Sequence, residues 1–193
     1  LPRAASVAVC AFLILFVFNG SSAAVANQAA ITRTSVASGP WGSSSTWSGG
    51  IVPSSGNDVV ISTGTTVTLS ADAESGTVTV ENGAVLDVRA AILTAIRLIA
   101  NDGGEFRQGG GSSQPRTSIA AYQLAPNSTF TYYGTNSGLS NTQPTYGNLN
   151  FQTSGSSGGT ISTDLKALGK FTIDLSNSRV LQLKKPYLYS FGS

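Results

Sequence analysis

The sequence predicts an all-β fold, a parallel β-helix (β-solenoid) with an N-terminal cap. Three observations carry this reading. A short unit recurs at a spacing near 19 to 20 residues, each with a Gly or Asn at the same place. Inside each unit apolar and polar residues alternate with period two, as in a strand with one buried face. The chain is dense in Gly, with 22, and sparse in charge, at 10%. One such unit cannot bury its apolar face alone. Stacked units make a continuous core, with backbone hydrogen bonds running between rungs. A β-sandwich is the alternative, since it also shows short strands with turns at roughly regular spacing. The constant place of the corner favours the solenoid.

Taken in order, residues 1–26 read as a secretory signal peptide. Arg3 supplies the positive start, and Val7 to Phe18 is an unbroken apolar run. That run is shorter than the roughly 20 residues a spanning helix needs. Ala24-Val25-Ala26 matches a small-x-small cleavage site, which places the mature N-terminus at Asn27. The mature chain is then expected to be secreted, extracellular or on the cell surface, with no membrane span. Residues 27–193 are expected to form a single β-solenoid domain. The sequence has no Met, begins at Leu1 and stops at "YLYSFGS" without a closing element, so a C-terminal truncation is the expectation.

The repeat begins at Ile61, where "ISTGTTVTL" aligns with "VENGAVLDV" from Val80. Gly64 matches Gly83, Val67 matches Leu86 and Leu69 matches Val88. "IANDGGEFR" from Ile99 repeats the theme with one extra residue, so that Phe106 takes the apolar slot. "LAPNSTFTY" from Leu124 places Asn127 in the Gly position and turns Phe130 and Tyr132 inward. Gly and Asn tolerate the positive φ that a tight corner demands. Between these units, Arg89 to Ala100 is Ala-rich, and Ile92, Ile96 and Ile99 also fit helical spacing. Flanking repeats argue that its second half is a strand. The Gly-Gly-Gly-Ser-Ser stretch at 109–113 reads as a loop. Further strands are expected at Asn148 to Thr153, near Gly159 to Ser162, at Gly169 to Asp174, at Val180 to Leu183 and at Tyr187 to Phe191.

The residue inventory excludes several functions. There is no His, so neither a Ser-His-Asp nor a Cys-His apparatus exists, nor a His-ligated metal site. The one Cys, Cys10, lies in the expected leader, which leaves the mature chain without thiol, disulfide or thiolate zinc site. A secreted chain without disulfides points to a bacterial source. Eleven Lys+Arg stand against nine Asp+Glu, a net charge of +2. Lys184-Lys185 is the sole adjacent basic pair, so nucleic-acid binding is not expected.

The stretch Trp47 through Ile61 has the pattern Trp-x-Gly-Gly-x-x-Pro-x-x-Gly-Asn-Asp-Val-x-Ile. It resembles the opening of a repeat found in large secreted surface proteins, mostly of Bacteroidetes. It is also similar to the start of the eight-glycine domain of some extracellular and hyaluronan-related proteins. The likeness runs over roughly residues 38 to 175. It implies β-helix rungs in an adhesin-like protein. Members of the first group commonly end in a type IX sorting domain, and none is visible in this sequence.

Candidate chemistry then rests on carboxylates, Ser, Tyr, Lys and Arg. Asp72/Glu74 and Asp102/Glu105 are close acid pairs in expected turns, where acids serve as catalysts or cap corners. Asn57, Asp58 and Asp72 supply oxygen ligands for calcium, unless Asp58 bonds its own turn. The candidate ligand contacts are Trp41, Trp47, Tyr132 and Tyr133. The two Trp either form a sugar-stacking platform or cap the open end of the core. Adjacent Tyr residues in one strand face opposite sides, so one is interior and the other is free to meet a glycan. Thr63, Thr65, Thr66 and Thr68 resemble an ice-binding row, but the next rung offers Asn82, Ala84, Val85 and Asp87. The expectation is a secreted, non-enzymatic, adhesin-like or structural protein with no cofactor, no metal and no catalytic residue. Its partners would be surface glycans or extracellular proteins. The alternatives are a fragment of a carbohydrate-active β-helix enzyme and a glycan-binding module.

Overall fold

The structure, a computed structural model, describes residues 30–110, 117–134, 138–139, 144–153, 160–161, 163–175, 182–183 and 189–192. The expected leader with its cleavage site, Cys10, the segment 111–113 and Lys184-Lys185 lie outside the described residues.

The chain climbs through strand pairs: β1 (Ile31–Thr34) and β2 (Gly39–Pro40), β3 (Asn57–Ile61) and β4 (Thr66–Thr68), β5 (Ala73–Val80) and β6 (Val85–Asp87). β7 (Leu93–Ala100) and β8 (Glu105–Gly110) follow, then β9 (Ser118–Leu124) and β10 (Thr129–Gly134). Later rungs are three-sided, with β11 (Gly138–Leu139), β12 (Thr145–Tyr146), β13 (Asn148–Thr153), β14 (Thr160–Ile161), β15 (Leu165–Ala167), β16 (Phe171–Leu175), β17 (Gln182–Leu183) and β18 (Tyr189–Phe191). One sheet has the order β1-β3-β5-β7-β9 and a second the order β16-β13-β10-β8-β6-β4-β2. Two three-stranded sheets, β11-β14-β17 and β12-β15-β18, complete the walls. Every strand pair is parallel, and the one antiparallel contact among the described residues is an isolated bridge between Ser35 and Trp47. Parallel pairing of each strand with its counterpart one rung away defines a solenoid, here of about six turns, and excludes the sandwich.

The inward columns explain why it stacks. Val67, Leu86, Phe106, Phe130, Leu149 and Phe171 stand in register along one wall. Val59, Val78 and Leu98, with Ile61, Val80 and Ala100, form the facing columns. All but Phe171 are buried. Gln108 interrupts the column it shares with Tyr132 and Phe151. It is 1% exposed, and its Nε2 has no hydrogen-bond partner among the described residues.

The corners are stitched by main chain. Gly64 N–H donates to Gly83 O, Gly83 N–H to Gly103 O, and Gly103 N–H to Asn127 O. Gly64, Gly83 and Gly103 have φ of 77°, 68° and 76°. Asn127 takes the expected slot in this ladder but not the expected conformation. Arg89 is the one non-Gly residue with positive φ among the described residues. At the Asn127 corner its N–H goes to Asp102 Oδ1 of the preceding rung at 2.9 Å.

Two further expectations are refined. Arg89 to Ala100 does yield a strand in its second half. The alternation breaks at Ile96 and Arg97, both exposed, between the buried Ala95 and Leu98. Gly109 and Gly110 belong to β8 rather than to a loop.

Candidate functional site

Outward side chains of the seven-stranded sheet form a groove of about 620 Å³, lined by Asp87, Arg89, Glu105, Arg107, Thr131, Tyr133, Asn150 and Gln152. The register builds it. Asp87 pairs with Arg107, Arg107 with Thr131, and Thr131 with Asn150, so four successive rungs each place one polar side chain in a row. The adjoining row runs from Gly109 to Tyr133 to Gln152.

Gly109 is the gap that shapes the site. A Cβ there would lie 3.0 Å from the Arg89 carbonyl group and 3.0 Å from Tyr133 Cε2. The bare backbone seats the Tyr133 ring, which reaches across β8 and donates its hydroxyl to Asp87 Oδ1 at 2.5 Å. Asp87 Oδ1 also accepts the Arg89 N–H at 3.0 Å. Arg89 makes this bend at φ 48°, a conformation that costs an L-residue about 1–2 kcal/mol. Its guanidinium has no ion-pair partner among the described residues. Backbone strain at a groove rim is the kind found at functional positions.

Glu105 and Arg107 form an ion pair, Nη2 to Oε2 at 2.8 Å, and Thr131 Oγ1 donates to Glu105 Oε1 at 2.6 Å. Asn150 Nδ2 in turn reaches Thr131 Oγ1 at 3.4 Å. Burial opposes ionisation of Glu105, but the hydrogen bonds from Arg107 and Thr131 and the Arg107 charge outweigh it, and the carboxyl stays below its ordinary range. The Glu105 hydrogen bond holds the Arg107 guanidinium more firmly protonated. Burial and the bond to Asp87 raise the Tyr133 hydroxyl, so it stays a donor at neutral pH. A carboxyl whose pKa is lower folded than unfolded stabilises above the unfolded value and loses that contribution as pH falls through the folded one. Acid unfolding curves below about pH 4.5 should therefore flatten in Glu105→Gln relative to the parent. Unchanged curves would remove Glu105 from the acid response.

The structure sorts the residues singled out from sequence. Trp41 and Trp47 are 5% and 1% exposed, packed edge to face at 5.0 Å, with Trp47 Nε1 donating to Trp41 O at 2.6 Å. They fill the first rung, and Trp41 also lines a cavity of about 250 Å³ with Val52, Pro53 and Ala73. Tyr132 is interior, stacked on Phe151 at 5.4 Å. Tyr133 alone of the four faces outward, in the groove.

The acid pairs separate. Asp72 accepts the Ile92 N–H and Asp102 the Asn127 N–H, each from the next rung, while Glu105 joins Asp87 in the groove. Among the described residues Asp58 bonds not its own turn but the next rung, its Oδ1 accepting the Thr77 N–H at 2.7 Å. Asn57 Oδ1 is taken by the Ser54 N–H. The proposed calcium ligands are thus each engaged with protein donors, and among the described residues no group of three or more His, Cys, Asp and Glu could hold a metal. The Thr run does not continue, since Thr68 is followed in register by Asp87 and Arg107.

Sequence reasoning missed Asp87, Arg89, Arg107, Thr131, Asn150 and Gln152. The available signal was their outward slot in each aligned unit, one residue past an inward apolar one. Residues 46–166, which span the whole groove, match the family model of the G8 domain. Neither curated proteins nor solved structures provide a match.

Proposed function

The chain belongs to the G8 domain family, whose members are typically extracellular, and from that premise we propose that it is a non-enzymatic, adhesin-like binding module of the cell surface. The solenoid is its rigid body and the groove from Asp87 to Gln152 its ligand face. Surface glycans are the ligand class that fits. Rows of amide, hydroxyl and guanidinium groups at one-rung spacing match the repeated hydroxyls of a sugar chain, and Tyr133 adds an aromatic edge.

The observation that carries this reading is the strained Arg89, whose guanidinium has no ion-pair partner among the described residues, beside a network whose carboxylates are already engaged. Asp87 holds Tyr133 and the Arg89 N–H, and Glu105 holds Arg107 and Thr131. Spare donors, not spare acids, face the solvent. The same balance disfavours the enzyme reading. A glycosidase pair needs two carboxyls turned to the substrate, and the groove's two are hydrogen-bonded to protein donors.

The test is a glycan array probed with the full chain, parent against Arg89→Ala and Tyr133→Phe. Loss of a hydrogen bond to a charged group corresponds to about tenfold weaker binding or more, and that is the expected result for Arg89→Ala. An array without hits, or hits indifferent to both groove variants, would sink the proposal. Turnover on a polysaccharide panel would replace it with the enzyme reading.

A further inference from the structure

We propose that Asn127 is the acceptor of an N-linked glycan. Asn127-Ser128-Thr129 is an Asn-x-Ser/Thr acceptor sequence with no Pro at its second or fourth position. One other such triplet occurs in the sequence, Asn19-Gly20-Ser21, inside the expected leader. The proposal shares the extracellular premise with the binding-module reading, takes an endoplasmic-reticulum route of secretion in place of the bacterial source expected from the missing disulfides, and does not depend on the groove.

The structure distinguishes Asn127 from the other asparagines. It is exposed, at the tip of the corner between β9 and β10. Its main chain is fully used, with the N–H on Asp102 Oδ1 at 2.9 Å and the carbonyl on the Gly103 N–H at 3.1 Å. Its carboxamide has no hydrogen-bond partner among the described residues. Among the other described asparagines, Asn57, Asn148 and Asn150 use their side chains in hydrogen bonds, while Asn82 and the exposed Asn101 stand in no acceptor triplet. Asn57 is buried and holds Ser54. Asn82 lies over Gly103, where its Nδ2 is 2.8 Å from the position a Cβ would take. Asn148 Oδ1 takes the Lys170 N–H, and Asn150 reaches Thr131. A sugar on Asn127 Nδ2 therefore breaks no bond of the fold and extends into solvent.

The transfer joins Nδ2 to C1 of the first sugar of an oligosaccharide carried on a lipid pyrophosphate. The C1–oxygen bond to the pyrophosphate breaks, Nδ2 gives up one proton, and the lipid pyrophosphate leaves with the bonding pair. In the folded chain Ser128 is 1% exposed and Thr129 is paired in β10. The acceptor triplet is thus accessible only before this corner closes, so transfer accompanies synthesis.

The experiment is translation of the full chain with endoplasmic-reticulum vesicles, followed by protease protection and intact mass before and after amidase treatment. The expected result is an amidase-sensitive mass increase on the protected chain. It is lost or reduced by one glycan in Asn127→Gln and in Thr129→Ala, and kept in Thr129→Ser. The readout does not require that a variant fold. A protected chain without the increase overturns the proposal, as does an increase undiminished in Asn127→Gln. A chain that stays outside the vesicles overturns it too, because Asn127 then never meets the transferase.

Discussion

Phe106→Ala should lower the unfolding free energy by about 3–5 kcal/mol. Phe106 is fully buried, in register with Leu86 on one side and Phe130 on the other. Its ring lies 5.0 Å from that of Phe130, which in turn meets Tyr146 at 5.1 Å. Removing it takes away a large apolar area and one member of an aromatic chain. The void cannot collapse easily, because the ladders on both sides hold the rung spacing. A solenoid is a one-dimensional stack in which each unit is supported by its neighbours. Hydrogen exchange should therefore accelerate first in the rungs of Leu86 and Phe130, and least at the Trp41–Trp47 end. Chemical denaturation with exchange mass spectrometry reads both effects. A loss under about 1 kcal/mol, or uniform acceleration along the chain, would contradict the packed-column account.

Gly147→Ala should be nearly as damaging, at about 3 kcal/mol. Gly147 is buried between β12 and β13. A Cβ there would meet three main-chain oxygens of the preceding corner, those of Ala125, Ser128 at 2.7 Å and Pro126 at 2.8 Å. No rotamer change relieves a clash with main chain. Moving the corner would strain the Asn148 N–H bond to Ser128 O and the Gly169 N–H bond to Gly147 O. Gly56→Ala is the matched control, since a Cβ there meets nothing within 4 Å, and it should change stability by no more than about 0.5 kcal/mol. Thermal melts of the two variants side by side decide the matter. Equal melting points would show that the corner has room to yield.

Much of the architecture was legible because its causes are local. Gly64, Gly83 and Gly103 mark corners by conformational need, and the apolar residue a fixed step later marks the inward slot. Aligning those two features was enough to turn Phe106, Phe130 and Tyr132 inward. Asn127 shows the limit of the same logic. Its place in the ladder followed from alignment, but it lacks the positive φ of the three glycines, and its N–H goes to the Asp102 carboxylate of the preceding rung. Asp58 shows it again, since a short-range bond was expected and a bond to the next rung was found.

The candidate site was hidden for a geometric reason. Tyr133 and Asp87 are 46 residues apart and touch across an intervening strand. That contact needs the rung-to-rung offsets, which change from 19 to 20 to 24 along Val67, Leu86, Phe106 and Phe130. It also needs a missing side chain at Gly109, which in the linear sequence is part of a Gly run. Read singly, Asp87, Arg107, Thr131 and Asn150 are ordinary polar residues in outward slots.

By itself, then, the sequence determined an all-β stack, its inward columns and most of its corners, because chain conformation and alternation depend on neighbours a few residues away. Only the tertiary structure decided which outward side chains share a surface, that Trp41, Trp47 and Tyr132 are interior, and that Asp87, Arg89, Glu105 and Tyr133 form one network. Those contacts are set by the register between rungs, and register is fixed by the whole stack rather than by any one of its units.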